Sequence, residues 1–169
     1  LRLTGNVRYR EILQQAAWTL GTRYRMKPNC IKSWDWNPDW QFPVIIDNMM
    51  NLELLFWAAK NGGESDLHGI GLAHALTTRK NHFRPDGGTY HVVEYDTATG
   101  GVLQKMTHQG SADESVWARG QAWAIYGFTM AYRETGDERL LASAESDDPV
   151  AQAARARAAA ILPRLRPSS

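Results

Sequence analysis

Asp47 is the first residue whose surroundings suggest chemistry. It stands in Phe42-Pro43-Val44-Ile45-Ile46-Asp47-Asn48-Met49-Met50-Asn51, a carboxyl among Ile and Met side chains. Pro43 is a natural first-turn residue, so a helix is expected to start there and to place Asp47 one turn in. Desolvation would raise the pKa of such a carboxyl, and the helix dipole would lower it. If desolvation wins, Asp47 is a usable general acid near neutral pH; if not, it only stabilises the helix start.

The densest polar and aromatic stretch runs from Thr107 to Trp123 and contains His108, Gln109, Trp117, Arg119 and Trp123. On a helix beginning near Ser115, Arg119 and Trp123 are i, i+4 neighbours on one face. A guanidinium between the indoles of Trp117 and Trp123 suits an anionic ring ligand, because Arg pairs a carboxylate while Trp covers an apolar ring face. A Trp-rich core helix with Arg119 in a structural ion pair would carry the same pattern. Asp113 and Glu114 read as N-terminal caps of that helix. His91 falls in a β-prone segment, where it is either a ligand contact or a half-buried sheet residue. His68 and His74 are six apart and lack a Cys or acidic partner at ligand spacing, so neither a metal nor another cofactor is expected.

These residues need elements to hold them. Apolar positions Tyr9, Ile12, Leu13, Ala16, Ala17, Leu20 and Tyr24 follow helical rhythm from Val7, with Gly5 and Asn6 as a cap pair. Met26 to Gln41 is a loop with three Trp and two Pro. Helices are then expected from Pro43 to Lys60 and from Asp66 to Arg79. Thr89–Tyr95 and Val102–Met106 form one inserted hairpin around a turn-rich Asp96–Gly101. Further helices are expected over Ser115–Tyr132, Glu138–Ala144 and Val150–Leu162, with Ser146–Pro149 as a loop. Leu3–Arg8 and Glu134–Arg139 repeat a helix–Gly–cap–helix corner, which suggests layered helix pairs.

Composition narrows the function classes. Nineteen basic and eighteen acidic residues give a net charge of +1, without the basic stripe that nucleic-acid binding needs. No apolar run approaches the roughly 18 residues that span a bilayer, so no membrane partner is expected. Cys30 is alone among 169 residues, which excludes a disulfide framework and points to a reducing, cytoplasmic compartment. Seven Trp supply faces for stacking on sugars or other rings.

Taken in order, three segments resemble one family. Phe42 to Leu55 is similar to the core signature of the unsaturated glucuronyl hydrolases, glycoside hydrolase family 88. Arg84-Pro85-Asp86-Gly87-Gly88-Thr89-Tyr90-His91 through Asp96 resembles the family's hairpin, and His108-Gln109-Gly110 through Trp117-Ala118-Arg119-Gly120-Gln121-Ala122-Trp123 resembles its most specific motif. The likeness runs from Leu1 to Leu165, read as one incomplete domain with 166–169 as a tail. It implies an all-α fold, a partial (α/α)6 barrel with about six of twelve helices and one inserted β-hairpin. It also implies release of an unsaturated uronic acid from the ends of lyase-generated oligosaccharides, by hydration of the double bond between carbons 4 and 5. On this resemblance Asp47 is the acid/base, and His91, Gln109, Trp117, Arg119 and Trp123 contact the unsaturated sugar.

The departures from the family pattern are as informative. The second essential Asp, in a His-His-Asp segment, would precede Leu1, and the family continues beyond Leu165. The chain is therefore expected to be a piece of a longer protein, inactive and prone to self-association when isolated. Ser111 stands where the family usually has Tyr, and Ser146–Ala154 reads as an insertion. Two rivals follow: an unsaturated rhamnogalacturonyl hydrolase, against which the His108–Trp123 motif argues, and a catalytically inactive sugar-binding remnant.

Overall fold

The computed structural model describes residues 3–141. Helix α1 spans Arg8–Gly21 and is followed by two short strands, β1 (Tyr24–Arg25) and β2 (Cys30–Ile31), which pair antiparallel. Gly5 adopts the left-handed conformation, and Asn6 Oδ1 accepts the Arg8 N–H at 3.0 Å, so this pair closes the corner before α1.

The run Phe42–Ile46 is strand rather than helix. Pro43–Ile45 forms β3, and the helix expected from Pro43 starts only at Asn48, as α2 (Asn48–Lys60). The physical reason lies in the partner: β3 pairs antiparallel with β4 (Val92–Tyr95), Ile45 facing Val92 and Pro43 facing Glu94. Proline is tolerated there because β3 is the edge of the sheet β3-β4-β5, with β5 spanning Val102–Met106. The hairpin β4–β5 thus belongs to a three-stranded sheet with β4 at its centre. Ser33 closes the outer side of β3, its N–H donating to Pro43 O and its Oγ accepting from Ile45 N, both at 2.9 Å.

Helix α3 (Asp66–His82) outlasts its expected end by one turn, because His82 reaches the sheet, with Nε2 3.1 Å from Val44 O. Helix α4 covers Ala118–Thr135 and ends at Gly136 (φ 70°), whose N–H returns to Tyr132 O at 2.8 Å. A short α5 follows (Glu138–Leu141). The expected helix start at Ser115 moves to Ala118 because Trp117 keeps an extended backbone (ψ 113°). Asp113 and Glu114 are correspondingly not its caps: the first accepts the Thr107 N–H and the second pairs with Arg84. The expected Val150–Leu162 helix, the Ser146–Pro149 loop, the Ser146–Ala154 insertion and the 166–169 tail lie outside the described residues.

The core is built on α2. Its Met49, Leu52, Leu55 and Phe56 are fully buried against α1, α3 and α4, together with Ala17, Ala75, Phe128 and Ala131. Backbones of α2 and α4 meet at Gly127, where an added Cβ would lie 2.4 Å from Met49 Cβ. Around the outside, α1 leaves Tyr9, Ile12 and Trp18 exposed. Among the described residues no helix is long and apolar enough to cross a membrane.

Candidate active site

The ladder between β3 and β4 brings Asp47 to His91. Past the Ile45–Val92 pair, Ile46 donates its N–H to His91 O at 3.0 Å, so the residue after Ile46 and the one before Val92 leave the sheet side by side. Asp47 Oδ2 lies 3.7 Å from His91 Nε2. Asp47 occupies the N-cap position of α2, yet its side chain makes no cap hydrogen bond. It therefore does not do the work of a capping carboxylate, and the carboxyl is left for the site.

Next to it, β4–β5 supplies a second junction. Val92 pairs with Met106, and beyond that pair His91 meets the turn Thr107–Gly110. His91 Nδ1 accepts the backbone N–H groups of His108 (3.0 Å) and Gln109 (3.2 Å). The imidazole is buried, 3% exposed, and its ring centroid stands 4.5 Å from that of Trp117.

Helix α4 contributes the third side. Gly120 makes room for Trp117: a Cβ there would sit 2.7 Å from the indole and 3.1 Å from Ile46. The Arg119 guanidinium stacks 4.5 Å over the Trp117 ring and donates to Gln109 Oε1. Trp123, one turn further on, turns its indole N–H toward the Asp47 carboxyl. The expected guanidinium between two indoles is corrected in this respect, since Arg119 covers Trp117 while Trp123 faces Asp47.

Electrostatics follow from burial. Desolvation raises the Asp47 pKa above the ordinary carboxylate value, outweighing the opposite effects of its own backbone N–H, the Arg119 charge and the Trp123 indole. Desolvation, helped by His108 and Arg119, pushes His91 down to about 4. At neutral pH His91 is thus a neutral imidazole, and Asp47 holds its proton to higher pH than a solvated carboxyl. Asp47 Oδ2, His91 Nε2 and Trp123 Nε1 are all buried without a hydrogen-bond partner among the described residues. Buried polar atoms are seldom left unpaired, and these three stand together beside the Arg119 guanidinium and the Trp117 indole.

The tryptophan-rich loop was legible only as a loop, but the fold gathers it here. Trp34, Trp36 and Trp40 surround His108, with ring centroids 5.4–6.1 Å from its imidazole. Ser33, bonded to the edge of β3, carries Trp34 into place. The other histidines serve the core: His74 Nδ1 accepts the Ile31 N–H at 3.0 Å, and burial holds His74 and His82 down to about 3 and about 4. Among the described residues no group of three or more His, Cys, Asp or Glu side chains could hold a metal. Gln121, beside the predicted residues, is structural, accepting from Thr89 and donating to Gly87 O.

An unsaturated glucuronyl hydrolase of Formosa agariphila is 54% identical over 142 residues, covering 83% of this chain and 36% of the relative. One of Bacillus sp. (strain GL1) is 37% identical, over 80% of this chain and 37% of its own length. The chain thus spans little more than a third of these curated relatives. A crystal structure of an unsaturated glucuronyl hydrolase specific for heparin superposes with a TM-score of 0.80 at 44% identity, covering 97% of this chain and 41% of that one. The Bacillus sp. GL1 enzyme superposes at 0.81 with 29% identity, over 99% of this chain and 52% of its own. Residues 1–161 match the family model, and the chain belongs to Glycosyl Hydrolase Family 88.

Proposed function

We propose that this chain carries the acid and uronate-binding part of an enzyme that releases unsaturated glucuronic acid from the non-reducing end of lyase-generated oligosaccharides. The observation that carries this reading is the convergence of three unpaired buried polar atoms, on Asp47, His91 and Trp123, beside Arg119. An unsaturated uronate offers a carboxylate, a flat ring and hydroxyls, which match a guanidinium, two indoles and an imidazole N–H in turn.

Chemistry follows from the carboxyl. Asp47, whose hold on its proton burial strengthens, delivers that proton to carbon 4 of the double bond. Positive charge develops at carbon 5 and the ring oxygen, and water adds to carbon 5. The Asp47 carboxylate takes the proton that this water loses, which restores the acid. The hemiketal at carbon 5 then opens and expels the neighbouring sugar. Arg119 and Gln109 hold the substrate carboxylate and ring, with Trp117 along the ring face. Trp34, Trp36 and Trp40 with His108 give the departing sugar a surface to stack on. Helices α1 to α5 are read as part of an (α/α)6 barrel, a reading supported by the exposed apolar residues of α1.

The relatives support a glycosaminoglycan-derived substrate over pectin fragments: one structural neighbour is described as specific for heparin, and a curated relative from Streptococcus agalactiae is named an unsaturated chondroitin disaccharide hydrolase. The test grafts this chain in place of the matching segment of the Formosa agariphila relative and follows ultraviolet absorbance of the double bond. Glycosaminoglycan-derived unsaturated disaccharides should lose absorbance, and rhamnogalacturonan-derived ones should not. Reversed preference would favour a rhamnogalacturonyl hydrolase; binding without turnover would favour an inactive sugar-binding remnant.

A further inference from the structure

The turn after β5 is organised before it meets His91. Asp113 Oδ1 accepts the Thr107 N–H at 2.8 Å, and Thr107 Oγ1 accepts the Gly110 N–H at 2.7 Å. Those two bonds close the loop from both ends and leave the intervening N–H groups of His108 and Gln109 directed at one atom, His91 Nδ1, at 3.0 and 3.2 Å. Two amide donors on one ring nitrogen admit only a lone pair there. A proton on Nδ1 would lose both bonds and face two N–H dipoles, so the neutral ring carries its hydrogen on Nε2.

We propose that Asp113 is a positioning residue: through the Thr107–Gly110 turn it holds His91 as the neutral Nε2–H tautomer, a fixed hydrogen-bond donor facing Asp47 and the ligand instead of a proton carrier. The proposal rests on the reading of Asp47 and His91 as the reacting site. It separates their duties, because only Asp47 then exchanges a proton while His91 orients the group it bonds. Charged and titratable groups around the ring come from every side: Asp47 from the β3–α2 corner, His82 from α3, His108 from the turn itself and Arg119 from α4. His108 and Arg119 disfavour a positive charge on the imidazole, which works in the same direction as the turn. Asp113 is exposed and far in sequence from Asp47.

The test is nuclear magnetic resonance of the full chain labelled with 15N-histidine, with the His91 signals assigned by their loss in His91→Gln. The readout needs no substrate, so it stands or falls separately from the proposed activity. Wild type should show a bare Nδ1 and a protonated Nε2 from about pH 8 down to about pH 5, below the ordinary imidazole midpoint of about 6.5. Asp113→Asn, whose amide oxygen still accepts the Thr107 N–H, should keep that signature. Asp113→Ala should yield a mixture of tautomers and a titration midpoint at least about one pH unit higher. Thr107→Ala should do the same and Thr107→Ser should not, which decides the matter if Asp113→Ala fails to fold. An unchanged His91 signature in the alanine variants, or a protonated Nδ1 in wild type, would overturn the proposal.

Discussion

Asp47 Oδ2 and His91 Nε2 face each other across 3.7 Å, each buried and neither with a hydrogen-bond partner among the described residues. The pair exists because a strand ladder, not a helix, delivers both residues: the Ile46 N–H to His91 O bond continues the β3–β4 register to the point where the two side chains emerge. Burial raises the pKa of the carboxyl and lowers that of the imidazole, which separates their roles. One gives a proton to the substrate, the other gives only a hydrogen bond.

Arg119 lowers the pKa of both members of this pair. Removing its charge should therefore move both limbs of the kcat/KM profile the same way. Arg119→Gln takes a cation from beside Asp47, so the acid form persists to higher pH and the alkaline limb rises. It also takes repulsion from protonated His91, so the acid limb rises as well. A displacement of roughly half to one pH unit is expected for a partly exposed cation, with a lower kcat/KM from the lost carboxylate contact. Opposite movements of the two limbs would contradict these assignments.

Stability should respond to pH through the buried histidines away from the site. His74 and His82 have folded-state values of about 3 and about 4, below the ordinary imidazole value. The unfolded chain consequently binds more protons than the folded one below about pH 6.5. Stability from these two groups is complete above that value and declines as pH falls toward their folded values. With His91, which burial lowers in the same way, urea unfolding should find about 4 kcal/mol less stability at about pH 5.5 than at about pH 7.5, and a double His74→Gln, His82→Gln variant should remove about two thirds of this dependence. An equally steep dependence in a folded double variant would place its origin elsewhere.

Much of this was readable from residue types, and the failures have physical reasons. The amphipathic rhythm of α1 and the Asp66 start of α3 follow from local pattern and match the structure to within a few residues. The segment at Pro43 misleads because proline suits a helix first turn and a sheet edge alike; the β-branched Val44-Ile45-Ile46 run favoured the strand, but only its partner β4 decides. Trp34, Trp36 and Trp40 lie in a stretch without periodicity, so nothing local says that they converge on His108. Asp113 reads as a helix cap because helix α4 could have begun at Ser115, and its bond to Thr107 is visible only once the turn is folded.

Proton donation by Asp47 carries the whole proposed reaction. The direct measurement compares wild type and Asp47→Asn, each grafted into the Formosa agariphila relative, by loss of ultraviolet absorbance from an unsaturated glucuronyl disaccharide and by substrate affinity from calorimetry. The amide keeps the shape of the carboxyl but has no proton to deliver at this acidity, so turnover should fall by at least about a thousandfold while affinity stays within about tenfold. Turnover near that of wild type in Asp47→Asn would contradict the account and leave Asp47 as a residue of the β3–α2 corner alone.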